Sequence, residues 1–192
     1  MIWDYGKGEQ RNWMLASSGF NKPELVKYET NMCQGNGYMC IRANEDERVE
    51  GSSYHTLVAG VFNHATTEVT HGQNLPDVTN IVFTADGQPI RPQPTEEING
   101  TPTGYSEFLK TFDMRDGLVT RSFVWETENG ARLRCTFRRI VPLDRLHMYT
   151  SKVVIEALDA DVEMTACAGI EGIDRLDPGA LTGHRAEAAD RC

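Results

Sequence analysis

Three histidines occur in one stretch of the sequence and could bind a metal ion if folding brought them together: His55, His64 and His71. A metal site in a protein needs several ligands in a fixed geometry and further residues that orient those ligands. The spacing of these histidines matches no standard zinc pattern, and the carboxylate that could join them, Glu68, is one of many in the chain. We therefore expect ordinary histidines in loops or at strand ends, with no metal and no other bound cofactor.

Two acidic runs, Glu45-Asp46-Glu47 and Glu96-Glu97, could supply paired carboxylates for general acid and base chemistry. A glycosidase pair, however, must flank the bond that breaks, so its two members come from different elements. Neighbouring residues in a strand or loop point apart instead. Because runs of like charge are typical of solvated surfaces, we predict that both acidic runs lie on a solvent-exposed face.

A glycine-rich turn, Gln34-Gly35-Asn36-Gly37-Tyr38, is the third candidate. It lacks the glycine spacings of the common phosphate-binding loops and no helical pattern follows it, so the sequence does not predict a phosphate site. The two glycines indicate a turn with a constrained backbone, which can aim polar side chains. Those side chains are Asn36, Tyr38 and Arg42. No Ser–His–Asp or Cys–His arrangement is recognisable in the sequence.

The composition places these candidates on a folded, acidic domain. The chain has 19 Lys and Arg residues against 28 Asp and Glu residues, a formal net charge of −9. This balance argues against nucleic acid or an anionic membrane as a partner, because both require a basic surface. Hydrophobic residues make up 40% of the chain, enough for a core. The amino terminus shows no signal-peptide pattern and five widely spaced cysteines indicate reduced thiols, so we predict a cytoplasmic protein.

Strands must position these residues, because the dominant hydrophobic period is two. Leu133, Cys135 and Phe137 alternate with polar residues, as in a strand that buries one face. The preceding run, Leu118 to Trp125, is rich in Val, Thr, Phe and Trp. Between the two runs, Asn129-Gly130 supplies the positive φ that a tight turn requires. This is the clearest hairpin in the sequence.

Further apolar runs, separated by turn residues, extend the all-β pattern. Only Pro23 to Tyr28 is predicted to begin a helix, with proline near the first helical position. Short strands at roughly even spacing predict an antiparallel sandwich or barrel. Besides the hairpin, the predicted strands are Gly37 to Arg42, Tyr54 to Phe62, Asn80 to Thr84, Ser106 to Phe112, Met148 to Glu156 and Val162 to Ala168.

The glycine-rich turn also carries a resemblance to a known family. Tyr28-Glu29-Thr30, followed by the run from Gln34 to Asn44, resembles the amino-terminal signature of glycoside hydrolase family 65, E-T-L-F-x-x-G-N-G-Y-x-G-x-R-G. That family contains the maltose, trehalose, kojibiose and nigerose phosphorylases. Further segments resemble family patterns in the same order along the chain: Asn74-Leu75-Pro76, Leu109 to Arg121, Arg138 to His147 and Ala168 to Gly172.

The sequence also departs from the family pattern. Cys40 and Ala43 stand where the turn signature has glycine, and Pro142 replaces the usual serine. The match ends before the carboxyl terminus, where the chain is rich in Ala, Arg and Asp. We therefore predict an incomplete family 65 type amino-terminal β-sandwich domain over residues 1–173. Residues 174–192 are predicted to be an atypical, disordered tail left by a truncated or frame-shifted coding sequence.

The resemblance implies an antiparallel β-super-sandwich and places the catalytic (α/α)6 barrel of the family beyond this chain. It implies inverting phosphorolysis of an α-glucoside by the parent enzyme, with a disaccharide and inorganic phosphate as substrates. The catalytic acid and the phosphate site would lie in the absent barrel, so no catalytic residue is assigned here. Asn36, Gly37, Tyr38 and Arg42 are expected to shape the substrate pocket or the interface with the barrel, and the sandwich is expected to contribute to a homodimer.

The resemblance therefore predicts the non-catalytic amino-terminal domain of a phosphorylase or hydrolase acting on disaccharides such as maltose, trehalose or kojibiose. The isolated chain is expected to be inactive. One alternative is a free-standing carbohydrate-binding sandwich without catalysis, whose sugar contacts would come from Trp3, Trp13 and Trp125. Another alternative is a cupin-like metal enzyme that uses the three histidines.

Overall fold

The structure, a computed structural model, describes residues 3–4, 12–49, 52–63, 70–91, 93–96 and 104–170. Within these ranges the chain forms β-strands and one short α-helix, α1 (Leu25–Asn31), which a 3-10 turn, Lys22–Glu24, precedes. This confirms the all-β prediction. The strands are β1 (Trp3–Asp4), β2 (Met14–Ser17), β3 (Gln34–Gly35), β4 (Met39–Ile41), β5 (Thr56–Val58), β6 (Phe62–Asn63), β7 (His71–Gly72), β8 (Ile81–Ala85), β9 (Gln88–Pro89), β10 (Tyr105–Asp113), β11 (Leu118–Glu126), β12 (Arg132–Ile140), β13 (Thr150–Ala157) and β14 (Met164–Ala168).

Six strands form the largest sheet, in the order β1-β2-β10-β11-β12-β13, and each neighbouring pair is antiparallel. Smaller antiparallel sheets have the orders β14-β8-β9, β3-β4-β5 and β6-β7. Because β10 to β13 are neighbours in sequence and in space, the connections between them lie alternately at the two ends of the large sheet. We call the end with the β11–β12 turn, residues 127–131, the hairpin end. The opposite end, with residues 114–117 and 141–149, is the loop end.

The hairpin predicted around Asn129-Gly130 is confirmed. Strands β11 and β12 pair along their full length. Gly130 has a φ of 83°, and its N–H donates a hydrogen bond to the Thr127 carbonyl at 2.9 Å. Glycine adopts this left-handed conformation at little cost, which is why the Asn-Gly pair specifies the turn.

One face of the large sheet forms the core. Leu133, Cys135 and Phe137 of β12 are all buried, as their alternation predicted. Phe123 of β11 stacks on Phe137 with ring centroids 5.8 Å apart, and Phe83 of β8 meets the Phe137 ring edge-on at 5.6 Å. The small β8 sheet therefore packs on the large sheet as the second layer of a sandwich. Burial of apolar side chains of this size contributes about 1.5–3 kcal/mol each.

Helix α1 packs on this core where the sequence predicted a helix. Pro23 lies in the 3-10 turn that leads into it, and the fixed φ of proline suits the start of a helix. Leu25, Tyr28 and Met32 follow one another at intervals of three and four residues, so they share one side of the segment. All three are buried.

Every strand segment predicted from the sequence overlaps an observed strand. Strand β2 was missed, because Met-Leu-Ala-Ser has neither β-branched residues nor a regular alternation. Pairing with β10 fixes it in the sheet instead, and that pairing connects residues nearly a hundred positions apart.

Some expectations concern residues outside the described ranges. His64, Glu68 and Glu97 are among these residues, and so is the predicted tail, 174–192, with its boundary at residue 173. Across the ranges that the structure does describe, no helix is long and apolar enough to cross a membrane.

Truncation of Leu133 tests the assignment of the core. Leu133 is buried, so Leu133→Ala leaves a cavity and should lower the free energy of unfolding by about 2–5 kcal/mol. The matched control is Leu158→Ala, because Leu158 is 39% exposed at the hairpin end, and this change should alter stability by about 0.5 kcal/mol or less. Urea unfolding followed by tryptophan fluorescence measures both variants. Equal losses would contradict the assignment.

Candidate functional site

The densest group of chemically active side chains in the described residues is a buried set of charges. Glu45-Asp46-Glu47 belongs to an irregular segment, residues 42–49, that packs against the core face of the large sheet. The prediction that this acidic run lies on a solvent-exposed face is wrong, because its three residues are at most 4% exposed. We call the following six residues the charged cluster: Glu45, Asp46, Glu47, Lys110 of β10, Arg121 of β11 and Arg139 of β12.

Two cations hold Glu45 at the centre of the charged cluster. Lys110 Nζ lies 2.6 Å from Glu45 Oε1, and the Arg121 guanidinium lies 2.7 Å from Glu45 Oε2. Arg121 also lies 2.6 Å from Glu47 Oε2 and 3.4 Å from Asp46 Oδ2. One guanidinium can meet three carboxylates because its planar fork presents N–H groups in several directions.

The backbone of segment 42–49 explains how three adjacent side chains all point inward. The segment is not a strand, so the alternation of side chains between two faces does not apply to it. The same cations also bind its backbone. Lys110 Nζ donates to the Ala43 carbonyl at 2.7 Å, and Arg139 donates to the Asn44 carbonyl. The large sheet therefore fixes both the side chains and the main chain of this segment.

Burial affects the protonation of the cluster members differently. Burial raises the pKa of Glu47 to about 7, and the Arg121 charge lowers it only in part. Burial also opposes ionisation of Glu45, but the Lys110 and Arg121 charges outweigh this effect and hold the pKa of Glu45 below its ordinary value. Burial lowers the pKa of Lys110, which Glu45 counteracts. Glu45 is therefore the anionic centre, and Glu47 is the member that titrates near neutral pH.

The charged cluster is closed to a sugar substrate. The cavity beside it has a volume of about 10 Å³ and is lined by cluster side chains together with Val119 and Phe137. That volume is about the space that one water molecule needs, whereas a glycosidase pair must flank a sugar ring. When Glu47 is ionised, three positive and three negative side chains balance within the cluster. The arrangement is therefore a structural clamp between segment 42–49 and the large sheet.

The glycine-rich turn is fixed by the side chain of Asn36. Its Oδ1 accepts hydrogen bonds from the N–H groups of Tyr38 and Met39 at 3.0 and 2.9 Å. Its amide group donates to the Pro142 and Leu146 carbonyls at 2.8 and 3.0 Å. Both polar atoms of the side chain are thus engaged, and they tie the turn to the loop end of the large sheet.

Gly37 and Tyr38 lie beside Asn36 at this end. Gly37 has a φ of 86°, with open space where a Cβ atom would be, so backbone conformation rather than crowding favours glycine there. The Tyr38 ring contacts the His147 ring, with centroids 4.1 Å apart. The structure therefore brings three of the four predicted site residues together. Their part in a substrate pocket or an interface stays a prediction.

Arg42, the fourth predicted site residue, lies apart from the other three and contacts a buried glutamate, Glu29. The burial of Glu29 was not predicted from the sequence. The Arg42 guanidinium donates to the Val26 carbonyl at 2.9 Å and lies 3.4 Å from Glu29. Burial raises the pKa of Glu29, although Ser52 and Ser53 both donate hydrogen bonds to its carboxylate. The available signal was the helical period, which places residue 29 on the buried side of α1.

The other polar candidates from the sequence lie apart from the charged cluster. His55 Nδ1 is 3.1 Å from Ser53 Oγ, and His71 is exposed in β7. In the described ranges, no group of three or more His, Cys, Asp or Glu residues is placed to hold a metal ion. Glu96 of the second acidic run is exposed and pairs with Lys22 at 2.7 Å. Among the described residues the free thiols are Cys33, Cys40 and Cys135. Cys167 is disulfide-bonded, so the prediction of reduced thiols is wrong for this residue.

Comparison with known proteins matches this chain to one family and to several disaccharide phosphorylases. The profile described as glycosyl hydrolase family 65, N-terminal domain, matches residues 15–186. The kojibiose phosphorylase of Halothermothrix orenii is 29% identical over 172 residues, which are 90% of this chain and 21% of that protein. The kojibiose phosphorylase of Escherichia coli is 28% identical, over 82% of this chain and 20% of that protein. The α,α-trehalose phosphorylase of Geobacillus stearothermophilus is 23% identical, over 90% and 24% respectively. The chain thus spans about a fifth of the length of the curated relatives it matches.

A solved structure supports the fold. It is described as a putative kojibiose phosphorylase from human microbiome, and it superposes with a TM-score of 0.67 over 85% of this chain and 22% of that chain. The identity is 19%, so the match shows a shared fold and nothing about the site.

Removal of the Lys110 charge tests the clamp. Lys110→Met leaves Glu45 buried with one cation fewer and should lower the free energy of unfolding by about 3–5 kcal/mol. The double variant Glu45→Gln/Lys110→Met removes the unpaired charge as well, so it should lose less than the sum of the two single variants. Urea unfolding of all three variants measures this coupling. Additive losses would show that the two side chains do not act as a pair.

The raised pKa of Glu47 predicts a pH dependence of stability. In the folded chain Glu47 has a pKa of about 7, whereas in the unfolded chain it has its ordinary pKa of 4.5. The folded chain therefore binds this proton more tightly. The contribution of Glu47 to stability is thus fully present below pH 4.5 and is lost as the pH rises through 7. Between these values the chain should lose roughly 3 kcal/mol relative to Glu47→Gln. The control is Glu126→Gln, at an exposed glutamate, which should keep the unsubstituted profile. Parallel profiles for the chain and Glu47→Gln would refute the assignment.

Proposed function

Because the chain belongs to glycosyl hydrolase family 65 and matches the N-terminal domain of that family, we propose that it is the non-catalytic part of a cytoplasmic α-glucoside phosphorylase. The substrate class is a disaccharide such as kojibiose, trehalose or maltose, with inorganic phosphate as the second substrate. The names of the similar proteins support kojibiose first and trehalose second. The proposed partners are the catalytic remainder of the enzyme and a second copy in a homodimer.

This proposal rests on the difference between the share of this chain that matches and the share of each relative that matches. The match takes up 90% of this chain but 21% of the kojibiose phosphorylase of Halothermothrix orenii. About four-fifths of such an enzyme therefore has no counterpart here. Within the described residues, the charged cluster and Glu29 are engaged in internal contacts rather than directed into an open cleft. We assign the catalytic machinery to the remaining part of the enzyme.

The chemistry itself requires an open site. In inverting phosphorolysis, a carboxylic acid gives its proton to the glycosidic oxygen as the bond from that oxygen to the anomeric carbon breaks. A phosphate oxygen forms the new bond to the same carbon from the opposite face. The acid must be protonated at neutral pH, and the phosphate dianion needs several N–H donors. Glu47 has a raised pKa, but it is enclosed beside Arg121 and cannot reach a sugar.

Tyr38 is the polar residue of the glycine-rich turn that we propose to contact the remainder of the enzyme or its substrate. The polar side-chain atoms of Asn36 bind main-chain groups, and Arg42 lies against Val26 and Glu29. The Tyr38 side chain is half-buried against His147, and among the described residues no partner for its hydroxyl is found. A hydroxyl on a rigid turn is suited to such a contact.

The tryptophans bear on the free-standing carbohydrate-binding alternative. Trp125 is buried in the core and is therefore removed as a sugar platform, whereas Trp13 is half exposed. The burial of Trp3 lies outside what the structure describes. One exposed ring just before β2 does not by itself form a sugar site. The tryptophans whose burial is described therefore give no support to a free-standing sugar-binding module.

A chimera tests the proposed function. The segment of the Halothermothrix orenii kojibiose phosphorylase that matches this chain is replaced by the corresponding residues of this chain. We expect the chimera to release glucose 1-phosphate from kojibiose within about tenfold of the parent rate, because the residues assigned to chemistry are unchanged. The same enzyme without the segment is the control and should be inactive. An equally active control would show that the domain has no part in the function.

The isolated chain provides the complementary experiment. Incubated with phosphate and kojibiose or trehalose, it should release no glucose 1-phosphate. Release of this product would place a catalytic acid inside the chain and overturn the proposal. Binding of maltose or trehalose by the isolated chain, seen by tryptophan fluorescence, together with an inactive chimera would favour the free-standing module.

A further inference from the structure

The two ends of the large sheet differ in chemical character. At the hairpin end, the connections present exposed carboxylates. The Asp86 N–H donates to the Glu163 carbonyl, and the Glu163 N–H donates to the Asp86 carboxylate, so the small sheet is joined to the same end. These carboxylates are Asp86, Glu128, Asp159, Asp161 and Glu163. At the loop end, large apolar side chains are between 42% and 79% exposed. They are Trp13, Met114, Leu143, Leu146 and Met148. We call these five residues the apolar patch.

The strand order places the members of the apolar patch side by side. Trp13 precedes β2, Met114 follows β10, and the other three lie in the β12–β13 connection. The Met114 N–H donates to the Trp13 carbonyl at 2.8 Å. Leu118, where β11 begins, pairs with Ile140, where β12 ends, so the β10–β11 turn ends beside the point where the β12–β13 connection starts. The patch therefore lies across the loop end of the large sheet.

The apolar patch is held in shape before any partner binds. The Asn36 amide fixes the β12–β13 connection through the Pro142 and Leu146 carbonyls, and the Tyr38 ring packs on His147 within it. A preorganised surface binds a partner without the loss of loop entropy that a mobile one would suffer. Residues of the glycine-rich turn, which carries the family signature, thus hold the β12–β13 connection in place.

Charged side chains surround the apolar patch. Arg115 and Asp116 flank it in the β10–β11 turn, and Asp144 and Arg145 lie between its leucines. All four are exposed. An apolar centre with a charged rim is the usual composition of a protein interface. Exposed apolar side chains grouped in this way mark interaction sites on soluble domains.

We propose that the apolar patch docks against the remainder of the family 65 polypeptide, which presents an apolar surface to it. This inference rests on the proposed function and names the surface that the partner uses. The occupant follows from chain length, because about four-fifths of each matched kojibiose phosphorylase lies outside the segment that this chain matches. Covalent attachment places that remainder within reach of the domain at high effective concentration.

The chimera described above tests the docking surface, with unfolding rather than catalysis as the readout. The unsubstituted chimera should unfold in one calorimetric transition, because the docked parts stabilise each other. Leu143→Ser/Leu146→Ser should separate this domain into an earlier transition and increase its cleavage by trypsin by about tenfold or more. Leu158→Ser, the same change at the exposed Leu158 of the hairpin end, is the control and should behave like the unsubstituted chimera. A double variant that unfolds like this control overturns the proposal.

These readouts are independent of phosphorolysis. A chimera that unfolds in one transition and responds to Leu143→Ser/Leu146→Ser supports the docking surface even if it releases no glucose 1-phosphate, in which case the proposed function fails alone. The full 192-residue chain provides a second measurement if the chimera does not assemble. Light scattering that finds a stable dimer, made monomeric by the double variant, would assign the patch to a second copy and overturn the proposal. A monomer whose binding of bis-ANS falls severalfold in the double variant and not in Leu158→Ser supports it, and a monomer with unchanged binding overturns it.

Discussion

The ion pairs that Lys110 and Arg121 make with Glu45 hold an irregular part of the domain against the large sheet. A charge buried without a partner costs several kcal/mol, so none of these three side chains can be buried unless the others are in place. The pairing fixes segment 42–49, which has no regular structure to hold it, against the large sheet. That segment connects β4 to β5, so the small sheet that follows the glycine-rich turn takes its position from the cluster.

The same arrangement uses the charges of the cluster for stability. The acidic run that could supply paired carboxylates makes internal ion pairs instead, and the exposed side chains that we propose as a docking surface are apolar and lie at the loop end. Asn36 links the glycine-rich turn to the loop end, because its side chain binds the backbone of the turn and also that of the β12–β13 connection. In this chain the family signature therefore includes a residue whose side chain organises the backbone of two segments.

Much of the fold was predictable because its signals are local. The alternation at Leu133, Cys135 and Phe137 specifies a strand with one buried face, and Asn129-Gly130 specifies the turn before it. Strand β2 was not predictable in this way, since its pairing with a distant strand outweighs its own weak propensity. Of the predicted site residues, three are neighbours in sequence and stay neighbours in space. Arg42 separates from them because its charge is drawn to Glu29.

The class of fold, the family and the position of the glycine-rich turn follow from the sequence, because period, turn chemistry and motif order are properties of neighbouring residues. The role of Glu45-Asp46-Glu47 follows only from the tertiary structure. In the sequence this run has the composition of a solvated surface, and its cationic partners come from three different strands more than sixty positions away. Whether a carboxylate is solvated, paired or protonated depends on the charges and the solvent around it, and only the folded chain brings those together.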